Sequence, residues 1–326
     1  MGDWVRLLGT FLLIYGAVLP IRTQVLQEAT IFIRPNPQAT AARSTQPVFV
    51  FDKTVEEVVL HTSVLDKKHR LITDLDAKDF TVLENNVPQE IKFFAQEDIP
   101  VAMGIVIDSS ASMLSKSRAV NQAALNLVRA SNPKDETFVA HFNEQYHLDQ
   151  DFTPDISKLK AALEGIRFQG ETAIYDAIVS AAKHLYGNQT LGKRVLIIVT
   201  DGEDNASNFS LAEAIEHVQR NGGPSIYTIG ILTEERTKST QRELTKLAEA
   251  TGGVAYLPDN TREVDAISDE ISRDVRNQYT ITYKPSISWT EAGYRHIKVK
   301  VKAHGHKKLI VRTRTGYFAE GEQASR

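Results

Sequence analysis

The chain has 326 residues, 42% of them hydrophobic and 24% charged, a balance that fits about two soluble globular domains. A formal net charge of −3 lacks the basic footprint that phosphate backbones require, so nucleic acid is not expected as a partner. With no cysteine, disulfides, thiolate zinc sites and cysteine nucleophiles are excluded.

At the N-terminus Arg6 precedes an apolar run over residues 7–19 (LLGTFLLIYGAVL). The run is too short to span a bilayer comfortably and has the length of a signal-peptide core. Residues 1–24 are expected to form a signal peptide or N-terminal anchor, placing the protein in the periplasm, the cell envelope or the medium. If the segment is retained, it is the expected membrane contact. Asp3 offsets the positive charge and no Ala-x-Ala site follows, so cleavage, retention and an interfacial helix stay open. Residues 25–47, with Pro35, Pro37 and Pro47 and little periodicity, read as an extended linker.

Residues 48–98 carry short β-like runs around Val58, Val64 and Leu71. A hairpin is expected here, with 80–84 (FTVLE) and 91–94 (IKFF) facing each other across Asn85-Asn86. From Val101 the rhythm changes to strand, helix, strand, helix. Strands are expected over 101–108, 137–142, 194–200, 225–231 and 254–257, with a short partner at 146–148. Helices are expected over 115–130, 156–166, from after the polar loop 169–172 to about 186, and over 211–220, 240–250 and 264–275. This alternation predicts an α/β domain over 99–276, with a doubly wound, mostly parallel central sheet flanked by helices. Residues 277–319 return to strands alone, including a half-buried one in which Ile297, Val299 and Val301 alternate with lysines. The two β-stretches, 48–98 and 277–319, are expected to pack as one small all-β domain into which the α/β unit is inserted. A tail follows at 320–326.

The stretch 101–112 (VAMGIVIDSSAS) is an apolar strand ending abruptly in Asp108, Ser110 and Ser112. Ligand crevices of open α/β sheets lie beyond the carboxyl ends of such strands. Hard oxygen donors without Cys or His suit Mg2+, and also Mn2+ or Ca2+, better than zinc or copper. Thr172 lies in the loop entering a helix, and Asp201 ends the strand RVLIIVT, so three loops can converge at one sheet edge. Each element alone has a plainer reading. Asp108 to Ser112 and Thr172 can cap helices, and Asp201-Gly202 can be a simple turn. Glu203 and Asp204 read as solvated loop, His304 and His306 as a polar turn, and the lysines of 298–302 as a wet strand face.

The set Asp108-x-Ser110-x-Ser112, Gly170-x-Thr172 and Thr200-Asp201-Gly202 resembles the von Willebrand factor type A (VWA) domain over residues 99–276. The flanks DLDAKDFTVLENNVPQEIKFF and YRHIKVKVKAHGHKKLIVRTRTGYFA are similar to those of bacterial, especially acidobacterial, proteins carrying that domain. The resemblance implies a Rossmann-like fold and a metal-ion-dependent adhesion site (MIDAS) at Asp108, Ser110, Ser112, Thr172 and Asp201. It further implies direct cation contacts from Ser110 and Ser112, with Asp108 and Asp201 acting through water or hydrogen bonds. Thr172 would join directly when a ligand is bound. The implied partner is a protein that supplies an Asp or Glu carboxylate to complete the cation's coordination.

The expected function is an exported, non-enzymatic, metal-dependent binding module. An envelope assembly or chaperone-like scaffold is the alternative within the same fold, although no G-x-x-x-x-G-K-[ST] loop is present. A metal-assisted hydrolase is less well supported, since two-metal sites use more carboxylates or histidines and no G-x-S-x-G elbow occurs.

Overall fold

The computed structural model describes residues 57–130, 132–188, 190–220, 222–231, 237–287 and 291–319, all within one compact unit. The signal or anchor segment, the linker and the tail read from the sequence lie outside these residues. Among the described residues no helix is long and apolar enough to cross a membrane.

Four strands come first: β1 (Val58–Leu65), β2 (Phe80–Glu84), β3 (Val87–Gln89) and β4 (Ile91–Ala95). Asn85 and Asn86, at φ 48° and 65°, form the two-residue turn between β2 and β3. Asparagine tolerates this left-handed backbone better than most residues. The hairpin differs from the expected one. So tight a turn starts pairing at Glu84↔Val87, which makes Val87–Gln89 the partner and sends β4 to another sheet.

The α/β unit follows as β5 (Val101–Asp108), α1 (Ser117–Arg129), β6 (Glu136–Phe142), β7 (Tyr146–Thr153), α2 (Ile156–Gly165), α3 (Ile174–Gly187), β8 (Lys193–Thr200), α4 (Leu211–Gln219), β9 (Ser225–Gly230), α5 (Thr237–Thr251), β10 (Ala255–Tyr256) and α6 (Val264–Arg276). The sheet order is β10-β9-β8-β5-β6-β7, parallel throughout except for the antiparallel edge strand β7. All eight residues of β5 are buried because helices cover both faces. Met103, Ile105 and Ile107 pack with α1, α2 and α6, while Ala102 and Val106 pack with α3 and α4. A Cβ on Gly104 would lie 2.4 Å from the Phe138 ring, so close packing requires glycine there. Strand β7 runs five residues beyond the expected 146–148, as an edge strand can remain polar along most of its length.

The chain closes with β11 (Tyr279–Tyr283), β12 (Gly293–Val301), β13 (Ile310–Arg312) and β14 (Gly316–Ala319). These pair with the N-terminal strands in two four-stranded sheets, β13-β1-β11-β4 and β14-β12-β2-β3. Leu60, Val82, Tyr279, Ile281 and Val299 belong to their shared core. Glu84 is fully buried there and accepts from the Tyr283 hydroxyl at 2.7 Å, the Tyr317 hydroxyl at 3.0 Å and Arg295 at 3.2 Å. That set of partners is what lets a carboxylate stay inside an apolar sandwich.

Both crossings between the sandwich and the α/β unit lie at the amino ends of the parallel strands. The backbone of Val101 donates to Asp135 at 2.8 Å, and Arg276, at the end of α6, pairs with Asp135 and with Asp98. Farther along, Arg314 donates to the Gly223 carbonyl at 3.0 Å, two residues before β9. The sandwich is thus tied to one end of the sheet, and the carboxyl ends of β5 and β8 face the other way.

Candidate functional site

Strands β5 and β8 are adjacent and parallel, yet β5 continues through α1 to β6 on its opposite side. Helices α1 and α3 lie on opposite faces of the sheet, so the crevice between them opens at the ends of β5 and β8. Asp108 and Asp201 stand at its two lips.

Asp108 is fully buried. One carboxylate oxygen accepts from the Ser110 backbone at 2.8 Å, and the other from the Thr200 hydroxyl at 2.6 Å. Burial pushes its carboxyl above the ordinary range, and the neighbouring Asp201 adds to this, while the Thr200 and Ser110 bonds pull the other way. Ser109 points away from the crevice and spends its N–H and hydroxyl on the Phe142 carbonyl, at 2.7 and 2.9 Å. Buried Met113 anchors the following 3₁₀ turn in the core. This in-and-out alternation leaves Ser110 and Ser112 beside the carboxylates.

The Ser112 hydroxyl donates to Asp201 Oδ1 at 2.7 Å and lies 3.2 Å from the Ser110 hydroxyl. The Lys116 ammonium donates to the other Asp201 oxygen. Asp108, Ser110 and Asp201 are buried, whereas Ser112 is exposed and marks the open side. Hydrogen bonds therefore join Ser110, Ser112 and Asp201 into one cluster, to which Asp108 is tied through the Ser110 backbone.

The loop that carries Thr172 is tied to the Asp108–Ser112 turn through backbone contacts. The Gln169 N–H donates to the Ser109 carbonyl at 2.7 Å, and the Ala111 N–H to the Gly170 carbonyl at 3.4 Å. Gly170 sits at φ 85°, where a Cβ would come within 2.4 Å of the Glu144 carboxylate. Glu144 in turn accepts from the Glu171 N–H at 2.9 Å. Asn205 holds Thr172 both ways: its side chain accepts from the Thr172 N–H at 2.9 Å, and its N–H donates to the Thr172 carbonyl at 3.0 Å. Among the described residues no hydrogen bond joins the Thr172 hydroxyl to the other four side chains.

The capping readings do not describe these hydroxyls. Ser110 makes no side-chain cap bond, α1 has no side-chain cap, and the N-cap position of α3 is held by Ala173 rather than Thr172. Glu203 is exposed as expected, but Asp204 is more than solvated loop. Its carboxylate accepts from the Tyr175 N–H at 3.2 Å, and the Ser207 hydroxyl oxygen accepts from the backbone N–H groups of Tyr175 and Asp176 at 3.0 and 3.1 Å. The loop after Asp201 thereby supplies the N-terminal cap of α3. Sequence reasoning missed Lys116, Thr200 as a bonding partner, and Asn205.

Asp201 with the Ser110 and Ser112 hydroxyls, and Asp108 tied in through the Ser110 backbone, make an all-oxygen donor set that already holds one cation, the Lys116 ammonium. This chemistry fits Mg2+, Mn2+ or Ca2+. Among the described residues no three Asp, Glu or His side chains converge on a common metal position, so hydroxyls would have to complete the set.

Residues 103–203 match the family model described as the von Willebrand factor type A domain, a segment that includes all five candidate positions. No curated protein matches the chain. Among solved structures it is similar to the conserved hypothetical protein BatB of Bacteroides thetaiotaomicron, with 22% identity over 54% of this chain and 99% of that one, TM-score 0.44. It is also similar to a von Willebrand factor type A protein of Catenulispora acidiphila, with 13% identity over 83% and 75%, TM-score 0.49. A third is proximal thread matrix protein 1 of the mussel byssus, described with a zinc-occupied MIDAS motif, with 15% identity over 59% and 49%, TM-score 0.48.

Proposed function

We propose that this protein is an exported, metal-dependent binding module that captures an Asp or Glu carboxylate of a partner protein. The observation that carries the reading is the cluster of Asp108, Ser110, Ser112 and Asp201 at the open end of the sheet, to which the loop carrying Thr172 is bonded through Gln169 and Gly170. Asp108 is already engaged by Thr200 and Ser110, so hydroxyls of Ser110, Ser112 and Thr172 are the donors best placed to turn toward a cation. A divalent cation held mainly by neutral oxygens keeps positive charge and supplies a Lewis-acidic contact for one outside carboxylate.

The rest of the chain serves display and support. Asp108 and Asp201 offset the cation's charge, Thr200 and Asn205 fix the loops, and Ser112 marks the solvent side. The sandwich lies at the other end of the sheet and leaves this edge open to a partner. Binding rather than turnover is favoured because the site offers two carboxylates and, among the described residues, no His or third acid converging with them. Export rests on the segment over residues 7–19, and membrane contact would run through that segment alone. Nucleic acid is excluded from the proposal by charge.

The test is retention of immobilised Asp- and Glu-containing peptides by the purified protein in Mg2+ and in EDTA. Retention that needs Mg2+ and is lost in Thr172→Ala supports the proposal. Retention equal in EDTA, or of Asn and Gln peptides alike, contradicts it.

A further inference from the structure

Lys116 is the residue of the site that neither the motif nor the family match explains. It stands where α1 begins, one residue before Ser117, with its side chain 17% exposed. Its ammonium donates to Asp201 Oδ2, while the Asp201 side chain is only 1% exposed and its other oxygen accepts from Ser112. Both oxygens of Asp201 are thus engaged, one by a hydroxyl of the candidate donor set and one by a cation that belongs to the chain itself.

We infer that Lys116 is a tethered cation that competes with metal for Asp201 and so selects divalent over monovalent ions. The inference rests on the metal-binding reading of the site. Asp108 and Asp201 contribute two negative charges, and Lys116 returns one positive charge. Exchanging its ammonium for Na+ or K+ leaves the net charge of the cluster where it was and gives up a charge-assisted hydrogen bond. Exchange for Mg2+ adds one positive charge to a cluster still carrying a net negative one, and that gain offsets the lost bond. The lysine stem is flexible and emerges between exposed Ser115 and half-buried Ser117, so the released ammonium can swing to solvent without moving α1. A fixed Arg fork or a buried lysine would not serve this purpose.

Two measurements test this on the whole protein, with MgCl2 alone as the probe. In calorimetric titration at constant KCl, Lys116→Gln should bind Mg2+ about tenfold more tightly or better, the scale of one hydrogen bond to a charged group. In the wild-type protein, Mg2+ should speed acetylation of Lys116 by an amine-selective reagent, read by peptide mass spectrometry, and KCl of equal ionic strength should not. The second measurement needs no variant to fold. Equal Mg2+ affinity in wild type and variant, or acetylation indifferent to Mg2+, overturns the role of Lys116 while leaving the metal site standing. Failure of both proteins to take up Mg2+ overturns both.

Discussion

The Thr200 hydroxyl donates to Asp108 Oδ2 at 2.6 Å, which cross-links the carboxyl ends of two adjacent parallel strands through the candidate site. Both partners are fully buried, so this bond has no solvent substitute. Replacing Thr200 by Val keeps the shape and leaves a buried carboxylate short of a donor. Urea unfolding should show a loss of about 1–3 kcal/mol. Unchanged stability would mean that the Asp108 carboxyl finds another donor or is held protonated.

Asn205 governs the position of Thr172 rather than the stability of the core. Its two bonds with the Thr172 backbone join the loop before α3 to the loop after β8. Asn205→Ala should cost about 1 kcal/mol of stability, the ordinary net value of such a bond. It should nevertheless reduce Mg2+-dependent peptide retention as strongly as Thr172→Ala does. Retention at the wild-type level would show that the loop is held without the clasp.

Lys193, at the amino end of β8, is buried and donates to the Val275 carbonyl. Burial, with the nearby Arg276, lowers its pKa from the ordinary 10.5 to about 7, although Asp274, Asp98 and Asp135 pull it upward. Between about pH 7 and pH 10 the unfolded chain holds a proton that the folded chain has released. Stability should therefore rise with pH across that window, by at most about 1.4 kcal/mol per pH unit for one proton. Lys193→Met should flatten that slope in urea titrations at pH 7, 8 and 9. An equal slope in both proteins would place the ammonium in a charged, well-compensated state.

Much of this architecture is legible in the sequence because its determinants are local. The run VAMGIVID reads as a two-sided buried strand, and Asp108, Ser110 and Ser112 stand out because polarity begins where that run stops. The strand ending in Thr200-Asp201 reads in the same way. The features that the sequence does not reveal depend on partners distant in the chain. Ile91–Ala95 has the composition of a hairpin arm, yet Thr282 and Ile281 of β11 claim it for the other sheet. The edge strand β7 is mostly polar, so its pattern stops short of its true length. Lys116 and Asn205 look like surface residues until the loops around Asp201 and Thr172 are folded against them.

Thermal unfolding in millimolar Mg2+ against EDTA shows whether Asp108, Ser110, Ser112, Thr172 and Asp201 hold a divalent cation. A ligand at about a hundred times its Kd stabilises the native state by roughly 2.7 kcal/mol. For a chain of this size that is a rise in Tm on the order of 5 °C. The wild-type protein should show that rise, Asp108→Ala should lose it, and Thr172→Ala should show a reduced one. Superimposable wild-type curves in Mg2+ and EDTA would mean that these residues hold no divalent cation.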